Sequence, residues 1–208
     1  MRVRLAILAL SILSPICFNS LISSASPLEI GYDDRDFEYT VSDFSPFGEA
    51  VRFSPPSQSW SVSEIEFYGI CYLRKESIGT FLVEIWDESL SPIYRESLSF
   101  KSFFSGKNET FGWYSLKVPN VIVSGDFYAV IVPSLMLDGP QLWIGADANG
   151  QISNRSFLVD SQNNVVVQSW NASSNRPKNL MIRVVGEPVV APPELKMTLM
   201  DLTRDGFK

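Results

Sequence analysis

From about residue 50 to residue 186 of this 208-residue chain, apolar side chains come in short runs that alternate with polar ones, and Gly, Pro, Asn, Asp and Ser close each run. A period of two puts successive side chains on opposite faces of an extended strand, so the pattern predicts strands and turns and almost no helix. Strands are expected over residues 50–53, 62–73, 80–87, 93–100, 113–118, 126–132, 141–146, 156–159, 165–168 and 180–185. In the clearest of them Phe81, Val83 and Ile85 share one face while Leu82, Glu84 and Trp86 share the other. Ten short strands with frequent turns point to an all-β chain built as a two-sheet antiparallel β-sandwich, jelly-roll-like in form. Residues 127–132 are apolar on both faces, which predicts a central strand covered on both sides.

The flanks break this pattern. Residues 26–47 mix Asp, Glu, Ser and aromatics and read as an irregular lead-in able to pair at a sheet edge. Lys101 to Phe111 reads as an exposed loop. Residues 187–208 begin with Glu187-Pro188 and Pro192-Pro193, which predicts a stiff linker and tail, or the start of a second module, because prolines cannot donate to a ladder. At the other end Arg2 and Arg4 precede an apolar run from Leu5 to Leu13, and Ser23-Ser24-Ala25 supplies small residues, the layout of a cleavable export signal over residues 1–25. Ser14-Pro15 and Asn19-Ser20 interrupt the run, so it falls short of the roughly 20 apolar residues of a spanning anchor. Bulky Ile16 argues against lipid attachment at Cys17. The expectation is a secreted or surface-displayed protein with no stable membrane span after cleavage, whose main body covers residues 26–186.

Composition narrows the chemistry. Losing Arg2 and Arg4 with the signal takes the net charge from −6 to −8, an acidic balance that argues against nucleic acid as a partner. Cys71 is then the one cysteine left, in an apolar run that predicts a buried, inert thiol and no intrachain disulfide. The chain has no histidine, which excludes Ser-His-Asp and Cys-His catalysis and the commonest zinc ligand.

Several stretches resemble exported β-sandwich modules of archaeal and bacterial surface proteins, mostly of unassigned function. They include Tyr32-Asp33-Asp34, Ala50-Val51-Arg52-Phe53-Ser54-Pro55-Pro56, Val83-Glu84-Ile85-Trp86-Asp87, Gly125-Asp126-Phe127-Tyr128, Ile144-Gly145-Ala146-Asp147 and Met181-Ile182-Arg183-Val184. The resemblance runs over about residues 31–186, and each piece is a strand with its turn rather than a catalytic signature. It implies a jelly-roll fold and a role in adhesion, recognition or spacing.

Five tryptophans invite a carbohydrate-binding reading, since a jelly roll can offer aromatic platforms on which sugar rings stack; Trp86, Trp143 and Trp113 are the candidates, with core packing as the competing explanation. Asp33, Asp34 and Asp147 are oxygen donors suited to a structural Ca²⁺, although no complete calcium loop is spelled out and turn chemistry accounts for the same residues. Asn108, Asn154 and Asn171 stand in N-glycosylation sequons. A carboxylate-pair glycosidase would draw on Glu64 and Glu66 or on Glu84 and Glu88, but the 84–88 stretch carries Trp86 where the acidic strand of jelly-roll glucanases carries an acid. Arg183, among apolar neighbours, is expected to pair with a carboxylate such as Glu84 or to face solvent. The reading that follows is a non-catalytic binding or adhesion module for a glycan or a surface protein, with a structural spacer and a glycosidase as the alternatives.

Overall fold

The computed structural model describes residues 26–43, 46–73, 79–106, 109–133 and 139–189. Residues 1–25, where the export signal is expected, Asn108 of the first sequon and residues 190–208 lie outside the described residues. The chain forms two antiparallel sheets. Sheet B has the order β11 (Val165–Ser169), β10 (Ser156–Asp160), β3 (Phe47–Phe53), β8 (Phe127–Val132), β5 (Thr80–Asp87) and β6 (Pro92–Ser99). Sheet A centres on the long β4 (Trp60–Tyr72), with β7 (Gly112–Val123) along one side. On the other side of β4 lie β13 (Ile182–Pro188) and then β9 (Gln141–Asp147). Short β1 (Leu28–Ile30) extends β13, while β2 (Tyr39–Val41) and β12 (Asn179–Leu180) pair with β9.

These pairings are the nested ones of a jelly roll: β3 with β10, β4 with β9 and β5 with β8 form one set, and β3 with β8 and β4 with β7 the other. The departure is β6, which would pair with β7 across the fold but stays beside β5 in sheet B. The alternating pattern expected for β5 is met residue for residue: Phe81, Val83 and Ile85 enter the main core. β8 is buried along its whole length, as its unbroken apolar run requires, because β3 and β5 flank it and both of its faces are covered.

The core is heavily aromatic. Phe67, Phe81, Phe100, Phe104 and Tyr114 are buried in one group, with ring centroids 4.7 to 6.5 Å apart. Each such side chain contributes roughly 1.5–3 kcal/mol by leaving water, and Cys71 is a free, buried thiol that adds no crosslink.

Four expectations need correction. The 101–111 stretch is not wholly an exposed loop: a single helical turn, α1 (Phe100–Phe103), folds Phe100 and Phe104 inward to cap the core. Prolines do not end the last strand at Gly186, since Glu187 and Pro188 stay in register with Ser61 and Trp60. The strand expected over residues 113–118 runs on through Pro119 to Val123, where a register shift against β4 and a positive φ of 48° at Asn120 absorb the proline. The expected 180–185 strand is divided between β12 and β13: Met181 steps between sheet neighbours, its N–H donating to Gly145 O and its carbonyl accepting from Tyr68 N. The lead-in does pair, at two separate edges, through β1 and β2.

Candidate functional site

The outward face of sheet A carries the aromatic side chains that the core does not use. On β4 the inward positions are Ile65, Phe67 and Cys71, which leaves Glu66, Tyr68, Ile70 and Tyr72 pointing out. Trp113 on β7 stands opposite Tyr68, and Trp143 on β9 stands opposite Ile70. Tyr68 meets Trp113 edge to face at 5.7 Å, Phe37 at 5.1 Å and Phe111 at 6.3 Å. Gly145 makes this possible: a Cβ there would lie 2.8 Å from the Tyr68 ring. Gly69 is needed for a different reason, because a Cβ would stand 2.3 Å from the Trp143 carbonyl oxygen where β4 and β9 draw together.

Beyond Tyr68 the same face opens into a pocket of about 500 Å³ lined by Thr40, Tyr72, Leu73, Glu109, Gln141 and Trp143. Tyr72 is 40% exposed, so its ring is available rather than packed away. The Trp143 indole N–H is buried without an acceptor in reach. A carboxylate, an amide, a hydroxyl and two rings thus line one open and largely polar concavity.

Above the aromatic group runs a belt of charge. Arg183 sends its guanidinium to Glu29 and Asp33, stacking over Trp113 at 5.0 Å on the way. Ser115 and Lys117 both donate to Glu64. Glu66 is left without such a partner, and burial, Glu29 and Glu64 together push its carboxyl above the ordinary value. The expected Arg183–Glu84 pairing is therefore not made; the two lie in different sheets.

The candidates separate clearly. Trp143 and Trp113 share the outward face of sheet A, whereas Trp86 is fully buried in a small cluster on the outer face of sheet B with Ala50, Tyr128 and Val130. Its Nε1 donates to Glu84 Oε2 at 2.6 Å, so no ring face is free to stack a ligand. Asp34 and Asp147 do converge, around Gly150, but as a loop clasp: Asp147 accepts from the N–H groups of Asp34, Asn149 and Gly150 and from Asn179 Nδ2. Asp33 is drawn away to Arg183, and no group of three or more Asp, Glu, Cys or His side chains is placed to hold a metal among the described residues. Asn154 is exposed at a positive φ of 59°, and Asn171 turns its Oδ1 to Ser173. Tyr68, Tyr72, Phe37 and Phe111 went unnoticed as site residues. The spacing of Tyr68 and Tyr72 opposite Phe67 and Cys71 was the available signal; Phe37 and Phe111 sit in irregular chain and carried none.

No protein-family model matches the sequence, and no curated protein matches it. The fold is similar to that of a clostridial cysteine protease, Cwp84, after propeptide cleavage: 12% identity, a TM-score of 0.55, 78% of this chain and 40% of that chain covered. A second structure, of the cysteine protease and lectin-like domains of Cwp84, a surface layer associated protein of Clostridium difficile, aligns at 12% identity and a TM-score of 0.46 over 69% of this chain and 32% of that one. The chain thus spans less than half the length of either, and at this identity the first likeness concerns the fold alone.

Proposed function

We propose that this chain is a non-catalytic glycan-binding module working outside the cytoplasm, and that the outward face of sheet A is its binding surface. The observation that carries the reading is the pocket in which Tyr72 and Trp143 stand with Thr40, Glu109 and Gln141. A sugar ring has a C–H face that packs on an aromatic ring and a rim of hydroxyls that carboxylates and amides accept or donate to. Trp113, Tyr68 and Phe111 extend the apolar surface beyond the pocket, enough for a ligand of more than one ring. Glu109 is the one carboxylate among the described lining residues, which supports binding over two-carboxylate hydrolysis. The export signal over residues 1–25 is what supports the extracellular setting.

The test is calorimetric titration of the chain with a panel of soluble oligosaccharides, alongside Trp143→Ala and Tyr72→Ala. Each substitution is expected to weaken binding about tenfold, equivalent to about 1.4 kcal/mol. Binding by no oligosaccharide, or full affinity in Trp143→Ala, would overturn the assignment in favour of a spacer whose tryptophans only pack.

A further inference from the structure

The pocket beside Tyr72 and Trp143 has a charge as well as a shape. Thr40, Leu73 and Gln141 are neutral, so Glu109 is the one charged side chain among its described lining residues. Glu109 is exposed and forms no ion pair among the described residues. Its backbone is nevertheless fixed. The Glu109 N–H donates to the Cys71 carbonyl at 2.9 Å, and its φ is 55°, a left-handed conformation that residues other than glycine, asparagine and aspartate seldom adopt. A residue held in that conformation on a pocket wall points to a task there rather than to local preference.

The rest of the face has no cation to spare for a carboxylate. Arg35 and Arg183 are tied to Glu29 and Asp33, and Lys117 is tied to Glu64. Glu66 points outward on the same strand as Tyr68 and Tyr72 and has no ion pair among the described residues. Burial, then the charges of Glu29 and Glu64, push its carboxyl up, so an added cation there would relieve like-charge repulsion. Along β4 the rise from Glu66 to Tyr72 is about 20 Å, and Tyr68 with its partner Trp113 lies between them. The face is thus a row of rings with a carboxylate near either end.

A ligand with hydroxyls alone would leave that negative charge uncompensated. An ammonium group is drawn to a carboxylate and also lies favourably on tyrosine and tryptophan rings, whose electron-rich faces attract cations. The chain already uses tryptophan this way, with Lys178 Nζ 3.6 Å from the Trp170 ring centroid and the Arg183 guanidinium 5.0 Å from that of Trp113. Acidic sugars would meet repulsion from the same carboxylates.

We propose that the glycan taken by this face is built of amino sugars whose amines are free and protonated, Glu109 receiving one ammonium beside Tyr72 and Trp143 and Glu66 another further along β4. The inference rests on the glycan-binding reading above and narrows it to one class of sugar. An N-acetylated oligomer offers the same ring faces without the charge, so it separates the two claims.

The test is calorimetric titration with a glucosamine trimer, its N-acetylated counterpart and a trimer of uronic acids, in mildly acidic, low-salt buffer where amines and exposed carboxylates are both charged. The free-amine trimer is expected to bind about tenfold tighter than the N-acetylated one, and the uronic trimer most weakly. Added salt should shrink the difference. Glu109→Gln is expected to remove most of the preference, and Glu109→Lys to turn it toward the uronic trimer; position 109 is exposed, so both variants should fold. Equal affinity for the free-amine and N-acetylated trimers, or a preference that survives Glu109→Gln, overturns this inference and leaves the glycan-binding reading standing. Failure of every oligosaccharide to bind, these three included, overturns both.

Discussion

Glu84 offers the sharpest test of how charge is held in this fold. Its carboxylate is fully buried on the outer face of sheet B, where Oε1 pairs with Arg95 Nε at 2.6 Å and Oε2 accepts from Trp86 Nε1 at 2.6 Å. The Arg95 side chain is half exposed, so the two partners are unequal. Arg95→Ala leaves a buried carboxylate with one indole N–H for compensation. Stripping a buried pair of one partner costs about 3–5 kcal/mol, and solvent near the Arg95 position brings the expectation to about 2–4 kcal/mol. Glu84→Gln is milder: the neutral amide oxygen still accepts from Trp86, and the released guanidinium returns to water, a net loss of about 1 kcal/mol. With a urea slope of about 2 kcal/mol per molar, the two variants should unfold at midpoints about 1 M apart, Arg95→Ala the lower. Urea titration followed by tryptophan fluorescence measures this. Equal midpoints, or a lower one for Glu84→Gln, would show that the buried charge is not what Arg95 serves.

Cys71 is expected to ignore thiol reagents in the native chain and to react at once in denaturant, because burial pushes its thiol up to about 12; rapid native labelling would contradict the packing described. Glu49 gives a pH dependence, to be read in the unaltered chain. The folded chain holds the Glu49 proton up to about 8 and the unfolded chain only to 4.5, so stability should fall as pH rises through that window, by up to about 1.4 kcal/mol per unit. Adding Glu49→Gln should flatten the slope of thermal midpoint against pH, and parallel profiles would refute the burial of that acid. Gly69→Ala, which forces β4 and β9 apart at the Trp143 carbonyl, is expected to cost about 1–3 kcal/mol and to weaken glycan binding as well; a neutral effect on unfolding would be incompatible with the close approach.

Local pattern made most of the sandwich legible. The period-two run of β5 and the two-faced apolar run of β8 say where a strand lies and how deeply it is buried, because strand geometry couples neighbours directly. Phe100 and Phe104 misled, since a single turn of helix has no period to detect and its burial depends on Phe67 and Tyr114, which two strands of the other sheet supply. Pro188 misled because a proline is excluded only where its missing N–H would be needed, and that depends on neighbours supplied by other strands.

The surface reading divides the same way. Composition alone determined that this sequence has no histidine to serve as base or ligand and that 12% of its residues are aromatic, a large supply of packing area. Which aromatics pack and which face outward was decided by sheet assembly: Trp86 and Trp143 occupy alternating positions of similar strands, yet one is sealed beneath Leu90 and Tyr128 while the other borders a pocket with Tyr72. Glu49, Trp170 and Lys178 are scattered along the chain and meet only because strands distant in sequence pack at one edge of the sandwich. A sequence specifies which faces of its own strands are apolar. What covers each face is a property of the sheets that come to lie against it, and so belongs to the tertiary structure.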